Sequence, residues 1–166
     1  IFITRKLDFN IISEFNDLYM TGRFKGMTLS CFTKIREPIP NSIIIQMCIS
    51  DNDDIYLLTE NGSAYKSINM TNILAMRFEE IEFPDNDEKI VRIAPGATFI
   101  SIMTERGRCF SLLAEDKTTL IESGKLKELN VIDIDAGAQH VLVSTMLPSE
   151  DENGNKEPLL NQTYTI

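Results

Sequence analysis

One phrase is repeated along this chain at a nearly constant spacing. Ile55–Tyr65 reads as an apolar run, Thr-Glu, a tight turn and an aromatic residue, and Ile100–Phe110 repeats that order 45 residues later. Asn10–Tyr19 is a looser copy that ends 46 residues before Tyr65. Self-similarity at such a period indicates an array of small units that bury their hydrophobic faces on one another.

A second landmark is a short apolar run with the composition of a β-strand. It occurs at Ile43–Met47, Lys89–Ile93 and Asn130–Ile134. A glycine follows the last two runs at the same offset, and Ser50 takes its place after the first. Each unit therefore predicts a strand, a tight bend, a strand, a two-residue turn, a strand and a longer link. We expect Asn61-Gly62 to form a type I′ turn with positive φ at both residues.

Runs such as Asp54–Thr59 are almost continuously apolar, as expected of strands that are covered on both faces. Four-stranded sheets stacked around an axis provide that coverage, so we predict an all-β fold, a β-propeller with about three four-stranded blades. The chain begins with Ile1 rather than Met, which indicates a piece of a longer polypeptide. We expect a single partial propeller over residues 1–166, with approximate repeats 1–42, 43–88, 89–129 and 130–166.

Composition disfavours direct binding to nucleic acid and favours a reducing compartment. The net charge of −9 opposes a surface that tracks phosphates. Cys31, Cys48 and Cys109 contain no CxxC pair, which excludes a zinc ribbon and favours reduced thiols. We therefore expect an intracellular protein, cytoplasmic or nuclear. The sequons at Asn61, Asn69 and Asn161 would suit a secreted glycoprotein, but an asparagine-rich sequence produces such triplets by chance.

Motifs for chemistry and membrane insertion are missing from the sequence. No apolar stretch reaches the roughly 20 residues that a transmembrane helix needs. His140 is the only histidine, so a two-histidine zinc site is excluded and a catalytic triad has a single choice of base. The glycines form no phosphate-binding loop. We predict a protein that is not an enzyme and binds no cofactor or metal, and we expect structural roles for Gly22, Asn61, Gly62, Gly96, Gly107, Gly137 and His140.

Acidic loops at the ends of the predicted blades are the candidate contacts for a protein partner, since charge steers encounters with basic surfaces. One of them, Ser149–Glu157, lies within a polar insertion, Pro148–Pro158, at the place of the third hairpin turn, where we expect a mobile hairpin loop. The alternative for every such loop is an ordinary solvated surface. The candidate residues are Asp51, Asp53, Asp54, Asp85, Asp87, Glu88, Glu150, Asp151 and Glu152.

The repeats resemble those of the regulator of chromosome condensation family. Lys89–Gly96, Thr104–Gly107, Phe110 and Val131–Val143 carry the resemblance, with Gly137-Ala-Gln-His140 matching the glycine–histidine element. Phe99 stands where the second repeat should have histidine, and the family's tryptophan is absent. The resemblance implies a divergent part of a propeller of about seven blades, completed by further blades or by another chain.

The sequence favours a protein-interaction propeller that acts as a scaffold or recruiting module within a larger protein. The resemblance implies an alternative, guanine-nucleotide exchange on a small GTPase, in which the propeller destabilises the bound nucleotide without covalent chemistry. No insertion matches the wedge that family members direct at the nucleotide. A secreted, glycosylated adhesion propeller is the third interpretation.

Overall fold

A computed structural model describes most of this chain, namely residues 2–3, 9–12, 17–24, 26–35, 39–68, 76–83, 87–113, 120–127, 129, 131–150 and 156–165. Side chains are described from residue 17 to residue 145, apart from that of Phe24. The described residues form β-strands and no helix, which confirms the predicted all-β class. The strands are β1 Phe2–Ile3, β2 Phe9–Ile12, β3 Leu18–Phe24, β4 Met27–Ile35, β5 Ile44–Ile49, β6 Ile55–Thr59, β7 Ala64–Ile68, β8 Arg77–Glu80, β9 Ile90–Pro95, β10 Phe99–Thr104, β11 Cys109–Leu113, β12 Leu120–Glu122, β13 Val131–Ala136, β14 Val141–Glu150 and β15 Lys156–Thr165.

The strands form four separate antiparallel sheets, each made of strands that are consecutive in sequence. β1–β4, β5–β8 and β9–β12 are four-stranded, and β13–β15 add a three-stranded sheet within the described residues. The predicted blades are therefore present, together with a fourth sheet. The chain divides into two compact units, residues 1–81 and 82–166. The assignment of repeats to one partial propeller remains a prediction.

In the second and third sheets, the second strand is the most deeply buried. Every residue of β6 is buried, and so is every residue of β10 after Phe99, as the continuous apolar runs predict. In the first unit, Leu57 packs in a cluster with Leu18 and Met47. In the second unit, Met103 packs with Ile134 and Val143. Because neighbouring sheets contribute to each cluster, a single sheet cannot bury its own faces.

The hairpin turns of the second and third sheets share one geometry, and it is not the predicted type I′ turn. Only Gly62 and Gly107 have positive φ in these turns, 91° and 74°. The N–H of Gly62 donates to the Thr59 carbonyl at 2.9 Å, and Gly107 repeats this bond to Thr104 at 2.9 Å. This is the pattern of a longer turn closed by one left-handed glycine. Asn61 was wrongly expected to share the left-handed conformation.

Candidate protein-interaction surface

The bends between the first and second strands are built by a glycine and the ring three residues later. Gly96 donates its N–H to the carbonyl of Phe99, and Gly137 makes the same bond to His140, both at 2.8 Å. A Cβ on either glycine would lie 2.4 Å from the nearest atom of that ring. Phe99 thus occupies the place of His140, whose ring is exposed at the surface. The two bends also join, because the N–H of Ala97 donates to the carbonyl of Ala138.

The corresponding bend of the second sheet, residues 50–54, is one residue longer and acidic. Asp53 adopts a φ of 60°, and the N–H of Ser50 donates to the Asp54 carbonyl at 2.9 Å. Asp51 is exposed, whereas Asp54 is half-buried and pairs with Lys66 at 3.2 Å. Burial, followed by the charge of Asp54, raises the pKa of Tyr56 far above its usual value. Among the three aspartates, Asp51 is therefore the best placed to meet a partner.

The acidic loop before β9 differs from expectation at Glu88. Asp87 is exposed, but the side chain of Glu88 is fully buried and binds Arg108, with Oε2 2.7 Å from Nη1. Its Oε1 atom has no hydrogen-bond partner among the described residues. A partner cannot contact this carboxylate in the present conformation, so Glu88 anchors the loop instead. Asp85 lies outside the described residues.

Arg108, which binds Glu88, also binds a second carboxylate, that of Glu122. Its Nε and Nη2 atoms lie 2.9 Å and 3.2 Å from the two carboxylate oxygens of Glu122. The guanidinium also lies 4.9 Å from the centroid of the Phe110 ring. The hydrogen bonds and charge of Arg108 lower the pKa of Glu122. One arginine thus links the loop before β9 to β11 and β12.

The fourth sheet has no tight turn at the place where the second and third sheets turn. Thr145 is the counterpart of Thr59 and Thr104, yet the β14–β15 ladder continues beyond it through four more pairs, from Leu147↔Leu159 to Glu150↔Lys156. At about 3.4 Å per residue, this is a hairpin extending roughly 15 Å past the usual turn. The described sides of the expected insertion, residues 146–150 and 156–160, thus lie in paired strands, and we call residues 146–160 the hairpin. Glu150 lies at its last described pair, and Asp151 and Glu152 lie outside the described residues.

Within the described residues, the hydroxyl of Thr145 lacks the hydrogen bond that its counterparts make in the tight turns of the second and third sheets. Thr59 Oγ1 lies 2.9 Å from the carbonyl oxygen of Ser63, and Thr104 Oγ1 accepts the N–H of Arg108 at 3.2 Å. Thr145 Oγ1 is buried and has no such partner in the described part of the chain. The hairpin therefore replaces the tight turn that would provide a hydrogen-bond partner for this hydroxyl.

We did not predict the bulge that is present in the first strand of three sheets. In β5, β9 and β13 the register shifts around one extra residue, which is Ile45, Val91 and Ile132 respectively. Each of these side chains is at least 40% exposed. A bulge redirects the side chain of its extra residue. The signal was present in the sequence, since the three residues hold the same place in the repeated apolar runs.

Two further classes of site find no support in the described part of the chain. No group of three or more His, Cys, Asp or Glu side chains there could hold a metal ion. No helix among the described residues is long and apolar enough to cross a membrane.

Known structures show which fold this chain is similar to. No family model matches the chain, and no curated protein does. Yeast RCC1 (Prp20), solved in complex with Kap60, matches with a TM-score of 0.62 at 16% identity, over 92% of this chain and 47% of that one. Human WBSCR16 matches with a TM-score of 0.60 at 12% identity, over 86% and 45%. A streptogramin B lyase matches with a TM-score of 0.52 at 18% identity, over 90% and 53%.

These likenesses confirm the predicted RCC1-like propeller fold. The chain spans about half the length of the propellers that it matches. At these identities the likeness concerns the fold alone, and the same fold serves RCC1 and a lyase. Function has to be argued from the residues of this chain.

Proposed function

We propose that this chain is a non-enzymatic protein-interaction module, and that the hairpin of residues 146–160 is its main contact with a partner. The observation that supports this is the β14–β15 ladder, which continues four pairs beyond Thr145. The extension continues past the position at which the second and third sheets turn, so it is a departure from the repeat. Elements of this kind carry recognition on a rigid scaffold.

The chemistry of the hairpin favours a basic partner surface. Residues 147–159 contain four acidic residues and one lysine. The exposed carboxylates of Asp51 and Asp87 add negative charge at other bends. Complementary charge raises the association rate and sets the orientation of an encounter. The proposal that the protein has no enzymatic activity rests on its single histidine and on the missing phosphate-loop motif.

The experiment uses the full-length protein with a trimmed hairpin. Residues 146–161 are replaced by Glu-Arg-Gly, the sequence that follows Thr104, so that Thr145 can form a repeat turn. Affinity purification and mass spectrometry are then run on the wild-type protein and on the trimmed variant. Partners that are lost on trimming support the proposal, provided that the melting temperature is retained.

A charge-reversal pair separates the hairpin from the acidic surface in general. One variant carries lysine at Asp151 and Glu152, and the matched control carries lysine at Asp85 and Asp87. Loss of binding in the first variant alone assigns recognition to the hairpin. Equal loss in both variants assigns it to diffuse charge, and an unchanged set of partners in both would overturn the proposal.

Guanine-nucleotide exchange is the second candidate, favoured by the fold shared with yeast RCC1, a protein studied for its binding to Gsp1p and histones. In this version the hairpin of residues 146–160 would enter the nucleotide site of a small GTPase. The purification is therefore repeated after nucleotide depletion. A GTPase that is retained only without nucleotide, and only with the intact hairpin, would select exchange over scaffolding.

A further inference from the structure

The turn at Asn61-Gly62 has a chemistry that its counterpart at Arg106-Gly107 lacks. An asparagine followed by glycine can cyclise, because no Cβ on the glycine obstructs its backbone nitrogen. That nitrogen attacks the side-chain Cγ, the Cγ–Nδ2 bond breaks, and ammonia leaves with the amide proton. Water then opens the succinimide to aspartate or isoaspartate. Asn61 is exposed, so water reaches the ring that would form.

The folded turn holds both reacting groups away from this reaction. The N–H of Gly62 donates to the Thr59 carbonyl at 2.9 Å, which keeps the nucleophile protonated and directed away from the side chain. The Oδ1 atom of Asn61 accepts the N–H of Ser63 at 3.3 Å. It also shares the proton of the Thr59 hydroxyl with the Ser63 carbonyl oxygen, which lies 2.9 Å from Thr59 Oγ1. Cyclisation requires a near-attack geometry that these bonds exclude, so the turn must first open.

We propose that Asn61 is a site of spontaneous conversion to isoaspartate, and that the buried hydroxyl of Thr59 controls its rate. Thr59 is completely buried at the end of β6, so the control group is built into the core while the reactive amide faces solvent. Loss of that hydroxyl leaves the carboxamide with the weaker Ser63 contact. The counterpart threonine, Thr104, stands before the Glu-Arg-Gly turn and controls no such reaction.

The product would damage the second sheet. Isoaspartate adds one methylene to the backbone between Thr59 and Ser63. The 2.9 Å bond from Gly62 to Thr59 and the 3.0 Å bond from the Thr59 N–H to Ser63 then lose their register. These two bonds close the hairpin between β6 and β7, so modification at one exposed residue is transmitted to a fully buried strand.

The test measures isoaspartate at Asn61 by peptide mapping of the full chain after incubation at neutral pH, native and in denaturing urea. The second Asn-Gly pair of the chain, Asn153-Gly154, is followed in the same digests as an internal standard. We expect Asn61 to convert more slowly in the native protein than in urea. Thr59→Val should accelerate native conversion about fivefold, the effect of losing one hydrogen bond.

Three variants serve as controls, and each has a defined expectation. Thr59→Ser keeps the hydroxyl and should convert at the wild-type rate even if the valine variant folds poorly. Thr104→Val removes the counterpart hydroxyl and should leave Asn61 unchanged. Asn61→Arg reproduces the Glu-Arg-Gly turn of the third sheet and should abolish conversion. Equal rates in native and unfolded protein, or a native rate that is unchanged by Thr59→Val, would overturn the proposal.

Discussion

Replacing Gly96 by alanine tests the packing that defines the repeat bends. The added Cβ would lie 2.4, 2.5 and 2.9 Å from three atoms of the Phe99 ring, where ordinary carbon contacts are about 3.5–4.0 Å. The ring must therefore move by roughly 1 Å or more, by that same contact distance. Phe99 packs against the buried cluster of the second unit, which contains Ala94 and Ile134, so this movement disturbs the core.

The magnitude follows from two opposing terms. Overpacking of a well-filled core costs about 1–3 kcal/mol. Gly96 has no positive φ, so alanine recovers about 0.4–1 kcal/mol by restricting the unfolded chain. The net loss is about 1–2 kcal/mol, or roughly 3–6 °C in melting temperature for a chain of this size. Gly137→Ala should lie within about 0.5 kcal/mol of wild type, because the exposed ring of His140 can swing into solvent.

Urea denaturation of Gly96→Ala, Phe99→Ala and the double variant measures the contact directly. In the Phe99→Ala background the ring is gone, so Gly96→Ala should be neutral or slightly stabilising. A cost for Gly96→Ala that is the same in both backgrounds would refute the steric account, since the alanine would then act on something other than the ring.

The other predictions concern ion pairs and thiols. Arg108→Met should destabilise the fold by about 2–3 kcal/mol, because Glu88 is left buried without its partner while Arg108 itself is partly exposed. Adding Glu88→Gln to Arg108→Met removes the unpaired charge. In thermal melts the double variant should recover more than half of the loss. The folded-state pKa of Glu122 lies below its unfolded value, so its ion pair stabilises above the unfolded pKa and is lost as pH falls through the folded pKa. Glu122→Gln should therefore be less stable than wild type at neutral pH, and the two urea-unfolding curves should converge in acid; a difference that persists at low pH would contradict this. Burial raises the pKa of the Cys109 thiol to about 11, whereas Cys31 is exposed. A thiol reagent at neutral pH should therefore label Cys31 first and reach Cys109 only after unfolding. Fast labelling of Cys109 in the native protein would contradict its burial.

The repeat pattern predicted the order of strands because it records local, periodic constraints. Equivalent apolar runs became β5, β9 and β13, and the glycine before Phe99 proved equivalent to that before His140. This worked because bends and buried strands depend on residues within one unit. Because every unit repeats the same local geometry, a pattern seen in one copy predicts the same strand or bend in the next.

We did not predict the features that depend on contacts between residues far apart in the chain. Glu88 resembles every other carboxylate of its loop, and only its pairing with Arg108, 20 residues away, makes it a buried anchor. At Asn61, a side-chain bond to Thr59 accompanies a turn in which the glycine alone takes positive φ. The bulges at Ile45, Val91 and Ile132 likewise depend on the register of the neighbouring strand.

The most direct test of an interaction hairpin is site-specific photocrosslinking in the full-length protein. A photoreactive residue is placed at Asn153 in the hairpin and, in a matched variant, at Arg106 in the tight turn of the third sheet. Our account predicts that a partner protein is captured from position 153 and not from position 106. Capture from position 106 alone, or an equal pattern from both positions, would contradict the claim that the hairpin is the contact.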